Sequence, residues 1–338
     1  MKKTPQNKGG TRGFTLVEIL VSTTILVVLM GLVFSVIGQV SDIWRKSTAR
    51  VEVFQGARLA FDLVTRSVSQ ATLNTSLDYL NTSNQFLSDL STPLERRTFM
   101  PTRYARRSTL NFVCGFSGMN NYPGTPGTGT ASFFQAPLAY TDDTTNYGSM
   151  DAALNVCGFY VEYGPDAGRP AHVIAPSRYR YRLMEILVPI EKNQIYVEQG
   201  AGNTAWFGNF TDKARPVADN IIALLIHPQD PEDASLFSTS YLYDSRANAS
   251  SNPQPITANQ LPPVMQVTLV AIDELSAKRM NSDSAQPAVI TAALSGKFSN
   301  PANSAADLQN LKDQLEGNGI QCRVFSTLVP IRESKWSK

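Results

Sequence analysis

The hydrophobic pattern changes character twice along this chain. From Phe14 to Ile37 it is almost unbroken, with Glu18 as the sole charge. As a helix this stretch spans about 36 Å, enough to cross a hydrocarbon core of about 30 Å. From Val51 the apolar positions thin to Val51, Phe54, Ala57, Phe61, Val64 and Val68, spaced by three and four. Arg45, Lys46, Arg50, Arg58 and Arg66 fall on the other side. That spacing marks one buried face of an amphipathic helix. No proline falls between Pro5 and Pro93, so the pattern predicts one helix over about residues 14–72, roughly 90 Å long. Beyond it the period shortens. Thr109–Cys114, Ala131–Gln135, Leu154–Tyr163, Tyr179–Pro189, Asn220–His227, Met265–Asp273 and Gln321–Ile331 alternate or run apolar and read as strands. Residues 74–105, rich in Asn, Ser and Thr, read as a loop or short helical excursion, and longer loops are expected at 117–130, 141–151 and 229–262. Ser304–Glu316 carries Leu308, Leu311 and Leu315 at helical spacing and stops at Gly317. The class is α+β: a long N-terminal transmembrane-plus-amphipathic helix packed on antiparallel β-sheet.

Glu18 changes the reading of the apolar run. A carboxylate near the bilayer centre costs about 2–3 kcal/mol or more, and less towards the end of the span. It needs a partner, so the position reads as functional. Thr15, Ser22, Thr23 and Thr24 are compatible with lipid burial because their hydroxyls can bond to the preceding turn. The first thirteen residues hold Lys2, Lys3, Lys8 and Arg12 and no acid. This places the N-terminus in the cytoplasm and the remainder beyond the inner membrane. A secretory signal peptide would put its cleavage site after the apolar core; here the small residue, Gly13, comes before it.

Gly13-Phe-Thr-Leu-Val-Glu18 resembles the processing signal of type IV pilins and type II secretion pseudopilins. The resemblance implies that a prepilin peptidase cuts between Gly13 and Phe14 and that Phe14 becomes the N-methylated first residue. It also implies that Glu18 meets the N-terminal amine of a neighbouring subunit during assembly. The order of elements is similar to the larger minor pseudopilins of the J-like type, with Leu261-Pro-Pro-Val-Met-Gln-Val-Thr-Leu269 as a shared proline-then-strand element. A closer resemblance is to the Verru_Chthon cassette protein C family, pilin-like proteins of the Verrucomicrobia and relatives. Phe133-Phe-Gln-Ala-Pro-Leu138, Tyr241-Leu-Tyr-Asp-Ser245, Val267-Thr-Leu-Val-Ala-Ile-Asp-Glu274, Arg323-Val-Phe-Ser-Thr327 and the late Trp336 carry it.

These readings imply a leader at 1–13, a transmembrane half-helix at 14–37, an amphipathic half at 38–75 and an extracytoplasmic β-rich domain at 76–338. The protein would be a single-pass inner-membrane subunit, its C-terminal domain periplasmic or exposed on an assembled filament. Its partners would be the peptidase, other pilin or pseudopilin subunits and membrane lipid. A pilin-anchored surface binding module is the alternative.

Composition adds little to this. The formal charge is +2, and loss of the four leader cations leaves −2; neither value favours a nucleic-acid partner. Cys114 and Cys157 recur in matching contexts, Val113-Cys-Gly-Phe116 and Val156-Cys-Gly-Phe159. A Cys114–Cys157 disulfide and a pair of buried free thiols are both open, while Cys322 reads as core. No Cys-x-x-Cys supports zinc or redox chemistry.

The remaining polar groups suggest no enzyme, metal or cofactor. His172 and His227 lack a nucleophile or carboxylate at a telling spacing. Asp142-Asp143 reads as a second acidic cluster. Asp230, Glu232 and Asp233 are hard oxygen ligands in type but lack a calcium-loop pattern, and a solvated acidic turn fits them better. Arg96, Arg97, Arg103, Arg106 and Arg107, interleaved with Phe99 and Tyr104, are the one feature that would suit stacking on single-stranded nucleic acid. The same composition fits a loop lying on acidic neighbours or lipid headgroups, and that reading is preferred over a nucleic-acid partner.

Overall fold

The computed structural model describes residues 15–150, 152–165, 178–197, 202–233, 235–280 and 284–336. By its contacts the chain falls into two units, one ending at Ala49 and one comprising Arg50–Lys338. Helix α1 runs over Leu16–Ser69. Its part Leu16–Ser41 has a mean hydropathy of 2.6 and no buried residue, and it is long and apolar enough to cross a membrane. In the second unit the same helix buries Ala57, Ala60, Phe61, Val64 and Val68, the face that the three-and-four spacing marks. Each large side chain so buried contributes about 1.5–3 kcal/mol.

The strands that follow are antiparallel. β1 (Ser76–Leu80) and β2 (Arg103–Arg107), separated by the short α2 (Pro93–Thr98), form a two-stranded ribbon. β3 (Val113–Phe116), β4 (Thr130–Pro137), β5 (Leu154–Pro165) and β6 (Tyr179–Val188) are successive neighbours, with the single turn α3 (Thr144–Tyr147) between β4 and β5. After another turn, α4 (Ala205–Gly208), β7 (Arg215–Asp219) adds to the edge of β6. β8 (Ile221–Gln229) leaves this sheet, and β9 (Tyr243–Asp244) returns to it beside β3. β10 (Val264–Ile272) pairs with β8. Helices α5 (Glu274–Arg279), α6 (Ala288–Leu294) and α7 (Ser304–Gly317) then precede β11 (Cys322–Pro330), which pairs with the other edge of β10. The sheets are thus β7-β6-β5-β4-β3-β9, β11-β10-β8 and β1-β2.

The six-stranded sheet is covered on both faces. Phe134, Cys157, Phe159, Val161 and Leu183 face a core shared with α1, β8 and β10. Phe133, Val156, Tyr160, Ile186 and Val188 face a second core closed by Trp206, Phe207 and Phe210. Double burial explains why β4 and β5 read as near-continuous apolar runs. On the three-stranded sheet, Phe61 of α1 meets Phe325 of β11 with ring centroids 5.8 Å apart.

The α+β class expected from the sequence is therefore observed, and details differ. Residues 74–105 hold the short helical excursion as α2, but also β1 and the start of β2, and the ribbon closes over a small core of Leu80, Phe86 and Ala105. The strand expected from Thr109 begins only at Val113. Before it, the Asn111 amide donates to the Gln135 side chain at 2.9 Å and that of Phe112 to Ser245 Oγ at 3.0 Å. Side chains there take the place of a ladder. The third correction concerns Cys114 and Cys157, which are free and buried. They share a face of the sheet but lie on β3 and β5 with β4 between. Two strand spacings, about 9–10 Å, exceed the roughly 7 Å that a disulfide spans between Cα atoms.

Candidate functional site

Gly13 and Phe14, the expected processing residues, lie outside the described residues. Glu18 is the acidic residue of the first turn of α1. Its amide donates to Thr15 Oγ1 at 3.3 Å, while Thr15 N and Oγ1 both lie 3.4 Å from Glu18 Oε2. This reciprocal pairing is a capping box: the hydroxyl satisfies an orphan helix N–H and the carboxylate answers the N-cap amide. A negative group here also faces the positive end of the helix dipole. Glu18 Oε1 makes no hydrogen bond among the described residues.

The Thr15-Leu-Val-Glu18 spacing is the sequence signal for this box. The Thr15 hydroxyl bonds forward to Glu18 rather than back, because α1 starts one residue later, at Leu16, and offers no preceding turn. Ser22, Thr23 and Thr24 do bond backward, to Glu18 O at 2.7 Å and to Leu20 O at 3.0 and 2.8 Å. Their hydroxyls are therefore satisfied without water, as a lipid-facing helix requires.

Comparison with known protein families bears on this segment. Residues 9–34 match the model of the prokaryotic N-terminal methylation motif. The chain thus carries the N-terminal signal of type IV pilin-like prepilins, which implies processing by a prepilin peptidase and assembly with pilin-type subunits. The match takes in Thr15, Glu18 and the first turns of α1. No curated protein and no solved structure matches the chain.

The other sequence-predicted groups go into the fold. His227 is buried, its Nε2 2.8 Å from Phe237 O and its ring edge-on to Tyr241; burial pushes its pKa down. His172 lies outside the described residues. Asp230 accepts from the Glu232 amide at 2.9 Å and from Trp336 Nε1 at 3.3 Å. Asp233 accepts from Ser235 N and Oγ at 3.0 and 2.6 Å. Asp142 pairs with Lys192 at 2.7 Å, which holds its carboxyl below the usual range, and Asp143 caps α3.

The arginine cluster divides. Arg97 is exposed, and Arg96 Nε donates to Leu90 O at 2.9 Å. Arg106 donates to Pro255 O at 2.8 Å and Ala258 O at 3.2 Å. Arg103 donates to Ser250 O and Ser251 O at 2.6 and 2.8 Å. Arg107 pairs with Asp78 and Asp89 and lies over the Phe86 ring. Three of the five therefore fasten the β1–β2 ribbon internally or to the chain at 250–258. The cluster is mainly a clasp, which its spacing in the sequence does not reveal.

Proposed function

We propose that this chain is a structural subunit of a pilus-like filament, a minor pseudopilin of a type II secretion or type IV pilus-like system. The observation that carries the reading is the Thr15–Glu18 box at the head of an unburied apolar helix, inside a methylation motif. In this account the peptidase cuts after Gly13 and methylates the new terminus at Phe14. The domains follow: leader 1–13, membrane half-helix 14–37, amphipathic half 38–75 and an extracytoplasmic domain 76–338. The leader stays cytoplasmic, and the C-terminal domain lies in the periplasm or on the filament surface.

Assembly is the mechanism. The apolar helix leaves the bilayer sideways and packs against the helices of neighbouring subunits. An amine and a carboxylate are each costly in lipid, and pairing them between staggered chains removes both costs. Glu18 is the carboxylate that receives that amine. The size of the domain behind α1 favours a minor or tip position, where it does not crowd a regular shaft. The segments Phe133–Leu138, Tyr241–Ser245 and Val267–Glu274 support the Verru_Chthon cassette protein C assignment within this class. The test is incorporation: Glu18→Ala should enter the membrane, keep its folded domain and be depleted from sheared filaments at least tenfold. Normal incorporation of that variant would contradict the role of Glu18.

A further inference from the structure

The outer face of the β1–β2 ribbon carries an aromatic pair. Tyr79 and Tyr104 stand directly opposite each other in the register. By strand alternation they share the face turned away from the Leu80–Ala105 core. Both are exposed, at 37% and 62%. Their ring centroids lie 4.5 Å apart at an interplanar angle of 37°, and the Tyr104 hydroxyl donates to the Tyr79 oxygen at 2.7 Å. The hydroxyls are thus much closer than the centroids. The rings converge at their phenolic ends, which brings the carbons ortho to the two hydroxyls towards one another.

A second tyrosine pair shows that closeness alone does not produce this arrangement. The Tyr163 and Tyr181 rings are 4.8 Å apart at 52°. Their hydroxyls turn to different partners, Tyr163 to Ala285 O and Tyr181 to Gln286 Oε1, each at 3.1 Å, and Tyr181 is buried. Among the described tyrosine pairs, Tyr79–Tyr104 alone joins a hydroxyl contact to exposure. Strand pairing keeps the two rings together, because directly opposite residues have neighbouring Cβ atoms. An exposed hydrogen bond between neutral phenols stabilises little, since water serves either group. What the pair gains from its placement is reactivity: a coupling that would be bimolecular in solution becomes a step within one chain.

We propose that Tyr79 and Tyr104 form a site of oxidative cross-linking, where a peroxide-driven one-electron oxidant of the haem-peroxidase class joins the rings through a carbon–carbon bond. Each phenol gives up one electron and one proton. The two phenoxyl radicals couple at the facing ortho carbons. The hydrogen on each of those carbons then moves as a proton to its own ring oxygen, which restores two phenols. The pair loses two hydrogens in all, and the peroxide that takes them becomes two waters. In the product the hydroxyls flank the new bond, close to the relation they already have. The link staples a ribbon that has only a small core of its own, and it restricts the states open to the unfolded chain between residues 79 and 104. The site rests on residues of the second unit and does not depend on processing or on Glu18.

The test treats the full chain, dilute and in detergent micelles, with hydrogen peroxide and a haem peroxidase. Equal parts of unlabelled and heavy-nitrogen-labelled chain are mixed beforehand. Trypsin releases Tyr79 within residues 67–96 and Tyr104 within residues 104–106. A linked peptide of these two, lighter than their sum by two hydrogens and with both halves from one chain, should be the main dityrosine product. A link between Tyr163 and Tyr181 should be at least tenfold rarer. Tyr79→Phe and Tyr104→Phe keep the ring and remove the phenol, and each should lower the dityrosine yield at least tenfold. Urea, which needs no variant to fold, should lower the yield of the 79–104 link as far. In the linked chain, hydrogen exchange over 76–80 and 103–107 should slow at least tenfold. The assignment is overturned by absence of the 79–104 peptide where free tyrosine couples, by halves drawn from different chains, by an equal yield in urea or in the variants, or by unchanged exchange.

Discussion

Gly158 stands opposite Phe133 in the β4–β5 register, and the Phe133 ring fills the space that a side chain at 158 would need. A Cβ added there would lie 1.9 Å from Phe133 Cδ1. The ring cannot retreat, because it stacks on Phe207 at a centroid distance of 3.9 Å and an interplanar angle of 2°. Gly115 has the same relation to Tyr122, whose ring would lie 2.5 Å from an added Cβ. The repeated Val-Cys-Gly-Phe is thus a packing device used twice on one face of the sheet.

Gly158→Ala should therefore destabilise the domain by about 1–3 kcal/mol through overpacking. Urea unfolding of the detergent-solubilised chain measures it. Phe133→Leu in the same chain should recover part of the loss, since contacting residues couple. A neutral Gly158→Ala would contradict the packing described here.

The thiols give a second prediction. Burial pushes Cys114 up to about 12 and raises Cys157 as well, against about 8.5 for a free thiol. A raised folded pKa means the native state holds the proton more tightly. The associated stabilisation is present below about pH 8.5 and is lost as pH climbs towards the folded value. At pH 8 a maleimide should leave Cys114 and Cys157 unlabelled in the native chain. It should modify all three cysteines after denaturation without reductant. A disulfide-linked mass in the unreduced, denatured chain would contradict the free-thiol assignment.

Arg106 and Arg97 separate the clasp from the surface. Arg106 donates to two carbonyls at 2.8 and 3.2 Å, and its own carbonyl accepts from Gln254 and Asn259, each at 2.7 Å. Arg106→Ala should cost about 1–3 kcal/mol, the range for orphaning buried partners. It should speed hydrogen exchange in 76–80, 103–107 and 254–259 before the six-stranded sheet. Arg97→Ala should stay within about 0.5 kcal/mol of the parent, as surface substitutions do. Equal effects would mean the cluster acts as a patch rather than a clasp.

How much of this was legible in the sequence follows from where burial is one-sided, two-sided or absent. The α1 face from Ala57 to Val68 and the apolar strands β4, β5, β6, β8, β10 and β11 carry strong periodic or continuous signals, and they were read near their observed limits. β1 and β2 were missed because Ser-Leu-Asp-Tyr-Leu and Arg-Tyr-Ala-Arg-Arg are largely polar; they are held by pairing, by the Tyr79–Tyr104 ring contact at 4.5 Å and by the arginine clasp. β7 carries Pro216, tolerated because the strand is at an edge. β9 is two residues long and has no local signal. Glu18 was legible because a charge in an apolar run is conspicuous. Its pairing with Thr15 was not read, because the Thr15 hydroxyl was expected to bond to the preceding turn; Thr-x-x-Glu ahead of an apolar run is the local pattern that carries it.

The central claim is tested most directly at the N-terminus of the mature chain. The protein is expressed with its own peptidase, digested, and the N-terminal peptide identified by mass. The account predicts a peptide that begins at N-methylated Phe14. A terminus that still carries Met1 and the basic leader, with the peptidase present and active, would contradict it and leave a static membrane anchor.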